Sequence, residues 1–407
     1  MIFKTLKKTI TQFKLKATYG LVGNDAIGSD NDRFYYLSQV DMNAERWVNW
    51  GTQLNYNPRG INVSRYANDK IGWETAYKLN LGAEIATVYG WSANIDVFHE
   101  RRENILLDRI IPATMGVIPA VKANLGKASG QGVDVELNYE KSVNKDLWIT
   151  GRATFTYATS QVDEWEEPDY SATPWVSRVG KSLGQTWGYI AERLFVDDLE
   201  VENSPTQFGD YMAGDIKYRD VNGDGKISEL DKVPIGHPTT PEINYGFGCS
   251  VGFKGVDASL FFQGSARQSF WLDLYRTTPF LDSDDEDGRV GQNSILQAYA
   301  DNYWSESNRN PYALWPRLAN YSVENNNQTS TWFMQDATFL RLKSVELGYT
   351  VPQKATKKFK VQNLRFYVSG TNLLCWSRFK LWDPEMAGNG LGYPVQRVFN
   401  VGLNVGF

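Results

Sequence analysis

The chain has 407 residues, with 42 Lys+Arg against 47 Asp+Glu and a formal net charge of −5. That mildly acidic balance leaves no footprint for nucleic acid. No apolar run approaches the ~20 residues of a spanning helix, which excludes a helical membrane protein but not a barrel, whose strands carry apolar residues only at alternate positions. Cys249 and Cys375 are the only cysteines, too few for a disulfide framework or a metal cluster. His99 and His237 are the only histidines, and no G-x-S-x-G occurs, so no nucleophile or acid–base pair can be named and no enzyme activity is assigned. Aromatics reach 14%, with 14 Trp and 22 Tyr, a load that suits aromatic girdles or a sugar-binding surface.

The amino terminus, MIFKTLKKTITQF, is basic but lacks a long apolar core and a small-residue cleavage site. It reads as a lead-in to the first strand, not as a signal peptide. About ten strands follow in the pattern. The first seven cover 13–22, 73–87, 91–107, 131–139, 147–162, 243–253 and 256–270. In the sixth, Ile243, Tyr245, Phe247, Cys249, Val251 and Phe253 alternate without a fault, and Lys254-Gly255 turns directly into the seventh. Three more strands lie in 332–407. The last places Phe399, Val401, Leu403, Val405 and Phe407 on one face and Asn400, Gly402, Asn404 and Gly406 on the other. Period two marks a strand with one apolar face. Taken alone, it fits a soluble sandwich as well as a strand between lipid and a polar lumen.

The connections separate these readings. Those at 88–90, 142–146, 254–255 and 351–363 are short; those at 23–72, 108–130, 163–242, 271–332 and 378–392 are long. Short and long take turns, as in a membrane meander whose long loops all leave from one end. A Greek-key sandwich has no reason to obey this rule. The expectation is an all-β, antiparallel up-and-down transmembrane barrel portion of about ten strands, paired in chain order, with long extracellular loops.

Long loops in compact domains usually carry function. Here they hold Trp47, Trp50, Trp165, Trp175, Trp271, Tyr275, Trp304, Trp315 and Trp382. Trp165, Trp175, Trp271, Tyr275, Trp304 and Trp315 are the candidate ligand contacts, since flat ring faces suit sugar rings. The competing role for each is to pin its loop or to anchor at the lipid interface. Within 163–242 the run DVNGDGKISELD, residues 220–231, has calcium-loop spacing. Asp220, Asn222 and Asp224 occupy positions one, three and five, Gly225 position six, Lys226 offers a carbonyl at seven, and Asp231 replaces the usual Glu at twelve. No amphipathic helices flank it. The expectation is a structural calcium ion on Asp220, Asn222, Asp224, Lys226 and Asp231; the alternative is a solvated Asx-rich turn. The acidic run LDSDDEDG, 281–288, fits no calcium spacing and reads as a loop tip.

Several stretches carry a resemblance. FLRLKSVELGYTVP (339–352), NLRFYVSGTNLLCW (363–376), DPE (383–385) and the terminal aromatic follow one another in the order seen at the carboxyl end of SusC/RagA-type TonB-dependent outer-membrane transporters. LKATYGLVGN (15–24), WETAYKLNLGAEI (73–85), NIDVFHERRENIL (94–106) and GDIKYRDVNGDGKISELDKVPIG (214–236) resemble the same family. The resemblance covers residues 1–407 but only the later part of a family member, with plug domain and signal peptide absent. It implies a Gram-negative outer-membrane location in contact with lipid. It implies import of oligosaccharides or peptides with a SusD-like surface lipoprotein, energised by the TonB complex through the missing N-terminal part. It also implies that Phe407 serves as a barrel-assembly signal. A partial barrel has two open edges that lipid cannot satisfy, so the chain alone is expected not to transport.

Overall fold

A computed structural model of the chain describes residues 8–25, 34–45, 49–116, 121–280, 282–284, 290–357 and 360–407. Most of the basic lead-in, Trp47 and most of the acidic run 281–288 lie outside the described residues. Ten strands form one sheet. They are β1 (Ile10–Asn24), β2 (Glu74–Thr87), β3 (Trp91–Asp108), β4 (Lys122–Ser142), β5 (Leu147–Glu164), β6 (Ile243–Phe253), β7 (Val256–Ala266), β8 (Phe339–Thr350), β9 (Asn363–Ser377) and β10 (Val398–Gly406). Their order in the sheet is their order in the chain, and every ladder is antiparallel. This is the expected meander.

Two boundaries differ from the sequence reading by more than three residues. β4 begins at Lys122, not at 131, because KANLGKASG pairs its backbone with the upper part of β3 although its side chains do not alternate. β7 stops at Ala266, where Arg267 takes φ 56°, a left-handed conformation that breaks a ladder. Beyond that break Ser269–Trp271 joins Met334–Asp336 in a separate ribbon.

The tight turns are explicable residue by residue. Lys254 and Gly255 both have positive φ, 51° and 89°, the two-residue turn whose twist matches its strands. At the β4–β5 turn the Asn144 side chain accepts from the Asp146 and Leu147 amides. Sequential antiparallel order puts these turns, with 88–90 and 351–362, at one end of the sheet. The connections 25–73, 109–121, 165–242, 267–338 and 378–397 therefore leave from the other end.

The register sorts the wall into two faces. One row runs Val251, Ala258, Leu347, Val368, Val401, and another runs Ile95, Val135, Phe155, Tyr245. Leu347, Val368 and Val401 are 57%, 51% and 85% exposed, an apolar surface that water would not tolerate at this extent and lipid would. The opposite face carries ion clamps that cross three strands. Lys16 of β1 reaches Glu84 of β2 and Asp96 of β3 at 3.2 and 3.3 Å. Arg365 of β9 reaches Glu346 of β8 and Asp257 of β7 at 2.6 and 2.5 Å. Aromatics on this face crowd neighbouring glycines. A Cβ at Gly132 would collide with the Phe98 ring, one at Gly402 with Tyr367, and one at Gly248 would sit 2.8 Å from Phe261. Bare glycine in a strand weakens it unless something packs closely there; here a ring does.

Candidate functional site

The buried core does not lie in the wall. It is built from the two longest connections, 165–242 and 267–338, with part of 378–397. Tyr189, Leu194, Ile216, Tyr218 and Ile227 of the first pack with Tyr299, Trp304, Trp315 and Phe333 of the second and Phe379 of the third. Short ribbons frame it. Thr186–Gly188 pairs with Val233–Ile235, and Ala191–Leu194 with Ile216–Tyr218. A polar link joins the two loops at Asp215, which has no exposed surface. Its carboxylate accepts from the Asn326 amide at 2.8 Å and the Met212 N–H at 3.0 Å. It also faces Arg317 Nε at 2.9 Å. That approach is too bent for a good hydrogen bond, so Arg317 acts there chiefly as a charge. Burial pushes the Asp215 carboxyl above the usual range, and Arg317, the Met212 amide and Asn326 only partly offset it.

A second polar link ties the outer unit to the wall. Arg341 of β8 is 2% exposed and reaches Asp383 at 2.5 Å and Glu385 at 2.8 Å. The RLK and DPE segments, far apart in the chain, are thus the two halves of one ion pair. Asp383 also accepts from the Glu385 amide, capping the short turn at Pro384–Met386.

The loop aromatics divide sharply. Trp304 and Trp315 are core residues, 6% and 5% exposed, and Trp315 stacks on Tyr299 with ring centres 4.4 Å apart. The Trp271 indole donates to the Ser330 carbonyl at 2.9 Å, the Trp175 indole to the Leu230 carbonyl at 2.8 Å, and the Trp382 indole to the Ala387 carbonyl at 2.7 Å. Tyr275 is 55% exposed. Of the six candidate contacts, Trp165 lines an open cleft of about 670 Å³. Trp175 stands at the cleft's edge, its carbonyl accepting the Trp187 indole N–H at 3.1 Å. The cleft is also lined by Trp187, Tyr170 and Arg178. Nothing in the sequence singles out these three, because loop segments have no period to mark a facing side chain. A second recess of about 460 Å³ lies where Phe98, Gly130 and Ser160 of the polar face meet Leu183 and Glu242.

The calcium-type loop closes on itself. Asp220 accepts from the Gly223 and Gly225 amides at 2.7 and 2.8 Å. Asn222 accepts from the Asp224 amide at 3.0 Å, and Asp224 from the Lys226 amide at 2.9 Å. These contacts leave lone pairs on all three side chains. Asp231 is different: it is fully buried and takes the Val221, Asn222 and Ser228 amides and the Ser228 hydroxyl. Those four donors fill its capacity, so it acts as the strap of a capping box and does not fit as a fifth ligand in this geometry. Among the described residues no group of three or more Asp, Glu, His or Cys side chains is arranged to hold a metal. Asp220, Asn222, Asp224 and the Lys226 carbonyl retain the oxygen chemistry that calcium prefers.

Comparison with known proteins gives a consistent answer. No family model matches the chain. TonB-dependent receptor P3 of Formosa agariphila is 28% identical over 428 residues, covering 98% of this chain and 40% of that protein. TonB-dependent receptor SusC of Bacteroides thetaiotaomicron is 22% identical over 98% of this chain and 38% of its own length. Among solved structures, the RagAB peptide transporter superposes with a TM-score of 0.67 at 20% identity, covering 98% of this chain and 41% of that one. The shared fold is the barrel wall with its outer loops. The chain spans about two fifths of the length of the curated relatives it matches, and these relatives are receptors, not enzymes. Over nearly its whole length the chain is similar to TonB-dependent receptors of the SusC type, and it shares the fold of the matching part of the RagAB transporter.

Proposed function

We propose that this chain forms the lipid-facing wall and outer-loop unit of an outer-membrane importer of oligosaccharides, energised through the TonB complex and working with a SusD-like surface lipoprotein. The observation that carries the reading is the split of one ten-stranded sheet into an exposed apolar face and a polar face cross-linked by ions, with a packed unit of long loops at one end. The apolar face suits lipid, the polar face an aqueous lumen, and the loop unit at one end offers a face to a surface lipoprotein. No helix among the described residues is long and apolar enough to cross a membrane. Oligosaccharides are favoured by the aromatic cleft at Trp165 and Trp187. Peptides are the second cargo class, because the RagAB structures are those of a peptide transporter.

Within this reading, calcium pins the 220–231 loop through Asp220, Asn222, Asp224 and the Lys226 carbonyl. Phe407, 83% exposed at the end of β10, serves as the assembly signal. The test is uptake by cells that express the receptor, with and without a functional TonB, on matched panels of oligosaccharides and oligopeptides. TonB-dependent accumulation of an oligosaccharide supports the reading. Accumulation of peptides alone moves the cargo to the second class, and TonB-independent accumulation of both overturns import by this route.

A further inference from the structure

The charges in the aromatic cleft are unevenly matched. Four carboxylates line it: Asp108, Glu166, Glu167 and Glu229. Each already has a partner. Asp108 meets Lys122 at 3.0 Å, and Glu166 meets Arg109 at 2.9 Å. Glu229 meets Lys232 at 2.7 Å. Glu167 accepts the Ser177 hydroxyl and the Arg178 backbone N–H, both at 2.6 Å. The Arg178 guanidinium takes no part in these contacts. Among the described residues no carboxylate or carbonyl accepts from it. It lies instead over two indoles, 6.0 Å from the Trp165 ring centre and 5.7 Å from the Trp187 ring centre, at the outer range of a cation–π contact.

Attraction to aromatic faces leaves the N–H groups of a guanidinium unused. The five donors of Arg178 therefore stay available, in a fork that matches the two oxygens of a carboxylate or sulfate. Four acids nearby would ordinarily capture such a cation, yet each is engaged elsewhere. The exposed guanidinium is thus left open to an anion from outside. Around it stand Tyr170, which gives a further ring face, and carboxylates with lone pairs left for hydroxyl donors.

We propose that this cleft is a binding subsite for an anionic saccharide, with Arg178 gripping a carboxylate or sulfate on the sugar and the aromatic rings bearing on its apolar faces. The proposal rests on the import reading above and narrows its substrate class. The chemistry at Arg178 is that of an oxyanion on a ring, whether the oxyanion comes from a uronic acid or a sulfate ester.

The test is calorimetric titration of the detergent-purified receptor that carries this chain. The probes are a uronic-acid disaccharide, a sulfated disaccharide, a neutral disaccharide of the same linkage and an acidic tripeptide. At least one anionic disaccharide should bind ten times or more tighter than the neutral one, and the tighter of the two identifies the oxyanion. Arg178→Gln should weaken that probe about 10- to 100-fold, the range for losing a charge-assisted pair of hydrogen bonds, and weaken the neutral disaccharide by less, so that the preference for the anionic probe is lost. Arg178→Lys keeps the charge over the rings but loses the fork, and should fall between. The proposal is overturned if neutral and anionic disaccharides bind alike, if no anionic disaccharide binds, or if Arg178→Gln changes nothing with circular dichroism intact. Preferred binding of the tripeptide overturns it in favour of a peptide site. Titration in detergent needs neither TonB nor a membrane, so failure here is distinguishable from failure of the uptake test.

Discussion

Replacing Arg317 by Met tests the claim that the two long loops form one unit. Asp215 has no exposed surface and Arg317's side chain is only 12% exposed, so the variant leaves a buried carboxylate without its counter-charge. Breaking a buried pair from one side costs about 3–5 kcal/mol, which is roughly two to three and a half powers of ten in the population of the opened unit. The cost must depend on pH. Burial already raises the Asp215 carboxyl above its unfolded value, and losing Arg317 raises it further. A group with a raised folded value contributes its stability at low pH and loses it as pH rises through that value. Arg317→Met should therefore be most damaging at neutral pH and partly rescued on acidification, as a proton replaces the guanidinium. Adding Asp215→Asn should restore most of the loss at pH 7. The assay is limited proteolysis of 165–242 and 267–338 across a pH series, under conditions where cleavage follows the opened population. Equal protease resistance of variant and parent at pH 7 would refute the reasoning. So would a loss of the same size at all pH values.

Three further outcomes are expected. Calcium should protect 220–231 from proteolysis, and Asp224→Ala should abolish that protection; Asp231→Ala should loosen the loop even without calcium, because it removes the acceptor for four donors. Gly132→Val should destabilise the wall by about 1–3 kcal/mol, the range for overpacking, because its Cβ would strike Phe98. Gly130→Ala, whose Cβ meets only the Thr159 carbonyl at 3.6 Å, should be tolerated, as read by heat-modifiable gel migration. Glu200 faces some burial, which raises its carboxyl, but the Val196 amide, Lys217 and Arg193 hold it below the usual range. Its stabilising share is present above the ordinary carboxylate range and lost as pH falls through the lowered value, so Glu200→Gln should blunt the acid sensitivity of the loop unit in a thermal melt.

Strands were legible because a wall with lipid on one side and water on the other must write period two into its residues, as β6 and β10 do. The alternation of short and long connections then fixed their order. Where the pattern lapses, as in 122–130, only the backbone ladder reveals the strand. The site was much less legible. Trp304 and Trp315 looked like free loop aromatics, but their partners Tyr299 and Phe333 come from a core assembled between loops, which no local pattern encodes. Arg341 and Asp383 stood in recognisable segments, yet their contact depends on the fold. Asp231 had the spacing of a ligand and serves as a strap, because the Ser228 hydroxyl and three amides reach it first. Arg178 carried no signal at all, since its importance lies in which neighbours are already paired.

The central claim is that one face of this sheet meets lipid and the other meets water. Single nitroxide labels along β10, from 398 to 406, in the membrane-embedded receptor test it most directly. Accessibility to oxygen, which concentrates in lipid, should peak at Phe399, Val401, Leu403 and Val405. Accessibility to a water-soluble nickel complex should peak at Asn400, Gly402 and Asn404. Alternation in opposite phase between the two reagents is the predicted result. Uniform access of the nickel complex to both faces, or the opposite phase, would contradict the account.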